Sequence, residues 1–119
     1  RLPVVTVKDE FTPSAYNDPA LAKRVTDTMA DWLGRGTLIK RQPTMGGEDF
    51  GMYGRTEHKI PIFMFALGTV SSDLLKRFRA AGKPLPMVHS STYAPDIEPS
   101  LRTGVTATTA AALDLLAAP

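Results

Sequence analysis

The nine residues "IPIFMFALG" (Ile60 to Gly68) are apolar almost without interruption. A half-buried strand would alternate apolar and polar residues; this run does not. It therefore reads as a strand covered on both faces, as in the centre of a parallel sheet. Pro61 stands near its start, where a missing ladder donor is tolerated. Two other segments read the same way. Leu2 to Lys8 ("LPVVTVK") is rich in β-branched residues, and Thr37 to Lys40 is a short strand candidate.

Helical patterns fall between these runs. Asp18-Pro19 marks a helix start, with Asp as N-cap and Pro at the first helical position, where its missing N–H costs nothing. Leu21, Val25, Met29 and Trp32 recur at helical spacing and form the expected buried face. Gly34 and Gly36 are the expected stop. Glu48 to Tyr53 allows one or two helical turns. "SSDLLKRFRAAG" reads as a short helix with a serine cap, Leu74, Leu75 and Phe78 inward, and Gly82 as its end. The last helix is expected from near Pro99, with Leu101, Val105, Thr108, Ala112 and Leu116 on its apolar side. Gly104 inside it implies close packing, since glycine costs a helix about 1 kcal/mol relative to alanine. Strands alternating with helices predict an α/β layer structure.

The chain has 119 residues, a net charge of +2 and no cysteine. It can form one core or part of one. The charge balance gives no nucleic-acid or acidic-membrane footprint. Disulfides and thiolate metal sites are excluded. No apolar run approaches the ~20 residues of a membrane span. No compartment is marked, and a cytoplasmic one is the expectation. The sequence opens at Arg1 with a strand pattern and no lead-in, so an N-terminal part is expected to be missing.

Two places carry chemistry. His89 follows the apolar stretch Leu85 to Val88 and opens a polar turn. Ligands gather at the carboxyl ends of strands in α/β folds, and a neutral imidazole there binds Zn²⁺. The competing reading is a structural histidine bonded to backbone. The second place is "PTMGGEDF" (Pro43 to Phe50), where Gly46-Gly47 runs into Glu48-Asp49. Glycines let a ligand approach the backbone, and amides before a helix start favour anions. Acidic residues also favour helix starts for structural reasons alone. His58, in "RTEHK", reads as a solvated loop residue. Asn17 reads as part of the helix start. Ser90 and Ser91 lack a nucleophile context. Phe63, Met64 and Phe65 read as core.

Taken in order, "VVTVKDEFTPSAYNDPAL", "PTMGGEDFGMY", "IPIFMFALG" and "VHSSTYAPDIEPSLRTGVTATTAAAL" resemble the C-terminal part of the hippurate-hydrolase and aminoacylase-type metallo-amidohydrolases, in the zinc aminoacylase and carboxypeptidase superfamily. The resemblance covers nearly the whole chain. It implies a fragment of an α/β zinc-peptidase catalytic domain, with the last strand of an inserted α/β lid domain. Residues 1–16 would end the lid, which usually forms the dimer interface, and 17–119 would belong to the catalytic domain. It implies two divalent ions (Zn, Mn or Co) and a metal-activated water attacking an amide carbonyl. Substrates would be N-acyl amino acids or small peptides. By position, His89 matches the family's late metal ligand, and Gly46, Gly47 and Glu48 match a segment beside the substrate cleft. Ser91 stands where relatives often have proline. The general-base glutamate and the other ligands are expected in the missing N-terminal part, so this chain alone is expected to bind no metal and to be inactive. The alternative is a non-catalytic binding or assembly module with the same fold.

Overall fold

A computed structural model describes residues 2–117. The domain limits expected above run to residues 1, 118 and 119, which lie outside the described residues. Three α-helices organise the chain: α1 (Pro19–Leu33), α2 (Ser72–Ala80) and α3 (Ile97–Leu116). Short 3-10 segments occupy Arg35–Thr37 and Asp49–Arg55.

The helix starts follow local chemistry. The Asp18 carboxylate accepts a hydrogen bond from the Leu21 amide at 2.8 Å, and the Asp18 carbonyl accepts from Ala22 N at 2.8 Å. Pro19 fills the first helical position, as its sequence context predicts. Gly34, at φ 90°, receives the chain as α1 ends, its amide donating to the Ala30 carbonyl at 2.8 Å. In α2, Ser71 Oγ accepts from Leu74 N at 3.2 Å. Its end is a Schellman turn: Gly82 N donates to Arg79 O, Lys83 N donates to Phe78 O, and Gly82 takes φ 61°. Leu74, Leu75 and Phe78 form the half-buried side of α2.

The α/β expectation is wrong. Among the described residues there is no strand and no sheet. Leu2 to Lys8 is exposed and carries no regular secondary structure, so no strand of a lid domain is present; Ile60 to Gly68 likewise lies in no ladder. Arg35–Thr37 turns into a 3-10 segment where the third strand was expected to begin. β-branched and aromatic residues favour extended backbone, but a strand exists only when a neighbour supplies ladder hydrogen bonds. One stretch comes close: Asp18 N donates to the Ile62 carbonyl at 2.9 Å. Beside it, Asn17 Nδ2 donates to Met64 O, and Met64 N donates to Asn17 Oδ1, both at 2.8 Å. The Asn17 side chain thus does what a neighbouring peptide group would do, rather than helping to start α1. Met64 and Phe65, expected in the core, are exposed.

The chain divides into two compact units, and the division passes through α1. One unit comprises residues up to Thr26 with Ile39–Met64. Its packing centres on Gly51, where an added Cβ would meet the Ser14 carbonyl oxygen at 2.7 Å. Pro13 and Val25 are buried there, and the Arg55 guanidinium lies 5.3 Å over the Phe11 ring. The other unit comprises Asp27–Leu38 and the residues from Phe65 onward. Its buried apolar residues are Met29, Ala30, Ala107 and Ala110.

Two expected faces need correction. Val25 and Met29 are each 2 % exposed, but Trp32 is 55 % exposed and lies off the buried side of α1. In α3 the face is reversed. Ala107 and Ala110 are buried, whereas Leu101, Val105, Thr108, Ala112 and Leu116 are exposed. Small residues let a helix approach its neighbour closely. Gly104 shows how closely: a Cβ there would stand 3.2 Å from Leu67 Cδ2.

Candidate functional site

His89 sits at the corner of two consecutive turns. Ser90 N donates to the Met87 carbonyl at 2.9 Å, and Tyr93 N donates to the Ser90 carbonyl at 3.0 Å. Ser90 Oγ braces the second turn, accepting from Thr92 N at 3.2 Å and pairing with Thr92 Oγ1 at 2.8 Å. Ser90 is therefore a turn-former, in keeping with the absence of nucleophile context. The turns are tied down from outside. The Tyr93 hydroxyl is hydrogen-bonded to the Thr69 hydroxyl, and Asp96 N donates to the Thr69 carbonyl at 2.7 Å. His89 itself is exposed. Among the described residues no hydrogen-bond partner holds its ring, so the backbone-bonded structural histidine is not what forms here.

The glycine-carboxylate loop lies in the other unit. Residues Pro43 to Asp49 are exposed and irregular until Asp49–Arg55 winds into a 3-10 segment. Glu48 caps that segment, its carboxylate accepting from Phe50 N at 3.0 Å. Local chemistry explains this bond: an acidic N-cap satisfies an amide that the helix start leaves unpaired.

The glycines of this region fall into two kinds. Gly51 and Gly54 are needed by packing; a Cβ on Gly54 would meet Ile62 Cδ1 at 3.3 Å. Gly46 and Gly47 are not. Neither has a positive φ, and an added Cβ would meet its nearest atoms, Thr44 Oγ1 and Thr12 Cγ2, only at 3.9 and 3.8 Å. Nothing in the local fold asks for glycine at 46 or 47.

A closed site takes about four ligands. Among the described residues, no group of three or more His, Asp or Glu is placed to hold an ion. The donor set therefore does not fit a metal centre by itself. His58 contacts Glu57 at 3.4 Å, both side chains largely exposed, as expected for a solvated loop. A surface depression of about 350 Å³ is lined by Ser71, Asp73, Leu74, Arg77 and Ala94 to Asp96. None of the sequence-predicted site residues lines it.

Sequence reasoning missed Thr69 and Tyr93. Their pairing spans 24 residues and leaves no periodic or motif signal. No helix among the described residues is long and apolar enough to cross a membrane.

Comparison with known families gives one finding. The model of a family described as Peptidase family M20/M25/M40 matches residues 4–98. The match takes in the glycine-carboxylate loop and His89 and ends at the second residue of α3. No curated protein and no solved structure matches the chain.

Proposed function

Because the chain belongs to peptidase family M20/M25/M40, we propose that it is the C-terminal part of a metal-dependent amidohydrolase acting on N-acyl amino acids or small peptides. The family is one of peptidases and related hydrolases, and its members are generally metal-dependent. The reaction is hydrolysis: water adds to the amide carbonyl, the C–N bond breaks, and a carboxylate and an amine leave.

In this reading residues 17–119 belong to the catalytic domain. His89 is one metal ligand, and Gly46, Gly47 and Glu48 border the bound substrate. The full-length enzyme holds two divalent ions and works as a homodimer. The chain alone is inactive, because one imidazole cannot hold a catalytic ion.

The observation that carries the reading is the pair of open glycines. A glycine that neither backbone conformation nor packing requires leaves room for something else to reach the backbone. The exposed, unpartnered His89 on a braced turn supports it, since a ligand donor must be accessible and held.

Two assays test it. With Zn²⁺ or Mn²⁺ supplied, the 119-residue chain is expected to leave an N-acyl amino acid such as benzoylglycine intact; turnover would refute the inactivity. In the full-length enzyme, Gly47→Val is expected to raise KM while leaving the melting temperature unchanged. An unchanged KM removes the loop from the substrate site. The rival reading, a binding or assembly module without chemistry, predicts that the full-length protein retains no tightly bound metal.

A further inference from the structure

Both the hydroxyl and the carbonyl of Thr69 reach the segment that follows His89. The hydroxyl pairs with the Tyr93 hydroxyl, and the carbonyl accepts from Asp96 N at 2.7 Å. Thr69 and Tyr93 are both half-buried. We propose that this hydroxyl pair is a latch that sets the place of His89, with Thr69 and Tyr93 acting as positioning residues for the hydrolysis. That role rests on the hydrolase reading above, in which His89 belongs to the site; the latch itself rests on geometry within one compact unit.

The latch acts through the backbone. The Tyr93 amide closes a turn on the Ser90 carbonyl at 3.0 Å, and the Ser90 amide closes the preceding turn on the Met87 carbonyl at 2.9 Å. Ser90 is common to both turns, as acceptor in one and donor in the other. His89 is the third residue of the first turn, so its backbone is set once Ser90 is set. A Tyr93 ring free to swing loosens the second turn and, through Ser90, the first.

The far end of the latch is fixed by its neighbours. On one side of Thr69 stands Leu67, packed so close to α3 that a Cβ at Gly104 would lie 3.2 Å from its Cδ2. On the other side stands Ser71, whose hydroxyl caps α2 by accepting from Leu74 N at 3.2 Å. Asp96, bonded to the same Thr69, is the residue before α3. The histidine turn is thereby referred to two helices and not only to its neighbours in sequence. This matters because no hydrogen bond among the described residues aims the His89 ring, so its backbone decides where the ring starts from. A reacting group has to be held within about 0.5 Å of its productive place.

Three substitutions separate the parts. Tyr93→Phe removes one oxygen and keeps the ring. Thr69→Val keeps the side-chain shape and removes the other hydroxyl. Thr69→Ser keeps the hydroxyl. In the full-length enzyme, each of the first two is expected to speed hydrogen exchange at the Ser90 and Tyr93 amides about fivefold, the effect of one ordinary hydrogen bond. The Leu21 amide in α1 should exchange as before. Each is also expected to lower kcat on benzoylglycine about tenfold or more, with KM within about twofold and far-UV circular dichroism unchanged. Thr69→Ser should restore both readouts.

Faster exchange with unchanged kcat makes the pair structural only and overturns the positioning role. An effect on KM alone assigns the pair to substrate binding and overturns it too. Unchanged exchange in both variants overturns the latch. If Tyr93→Phe does not fold, Thr69→Val carries the same readouts. A wild-type enzyme that turns over no N-acyl amino acid or dipeptide removes the hydrolase reading and the positioning role together, while the exchange rates still decide whether the latch exists.

Discussion

Helices α1 and α3 obey the same sequence rules and end in opposite states. Both show apolar residues at three- and four-residue steps, and both begin after an aspartate. In α1 the large side chains Val25 and Met29 are buried, and the Asp18 carboxylate caps the first turn. In α3 the buried residues are alanines, the large side chains face out, and Asp96 makes no side-chain cap bond. Periodicity reports that a helix has two sides. It does not report which side finds a neighbour when the other is made of alanine and glycine, because a small-residue face packs by backbone approach rather than by bulk.

The contrast can be broken by substitution. Met29→Ala should cost about 3 kcal/mol by leaving a cavity, whereas Leu101→Ala should change stability by less than about 0.5 kcal/mol. Denaturant unfolding measures both; equal losses would mean that the two faces do not differ. Smaller effects are expected at the helix starts. Asp18→Ala should cost about 1 kcal/mol as the Leu21 amide loses its acceptor. Asp96→Ala should cost only a few tenths, from the helix dipole alone. The smallest effect sharpens the view of α3. Gly104→Ala gains about 0.8 kcal/mol of helix propensity, and the obstacle is the movable tip of a half-buried Leu67. A net gain of a few tenths is expected by thermal denaturation. A loss would mean that Leu67 cannot yield.

These helices also show what was legible beforehand. Asp18-Pro19, Ser71 and Gly82 mark helix ends through chemistry within four or five residues, so their sequence reading held. Ile60 to Gly68 failed as a strand because a ladder is a property of two segments, and one segment's composition says nothing about the other. Trp32 failed for a related reason: its spacing fits the buried side of α1, but spacing does not say where the neighbouring chain ends, and the ring is 55 % exposed. At the candidate site, the polar turn that His89 opens was legible from the residues after it, Ser90 to Thr92. The means by which its turns are held was not, since Thr69 and Tyr93 lie far apart in sequence. The glycines needed side chains to be sorted. Gly51 has a backbone oxygen in the way and Gly47 has open space, yet the letters are identical.

One last consequence follows from the amide of Asn17. Its carboxamide faces the peptide of Met64 with both a donor and an acceptor, joining positions 47 residues apart. Deamidation to aspartate would keep the shape but swap the donor nitrogen for a second oxygen, opposing it to the Met64 carbonyl. A chemical change of one mass unit, invisible to most handling of the protein, would then unfasten the clasp between two distant parts of the chain. Aged material should record its history there first.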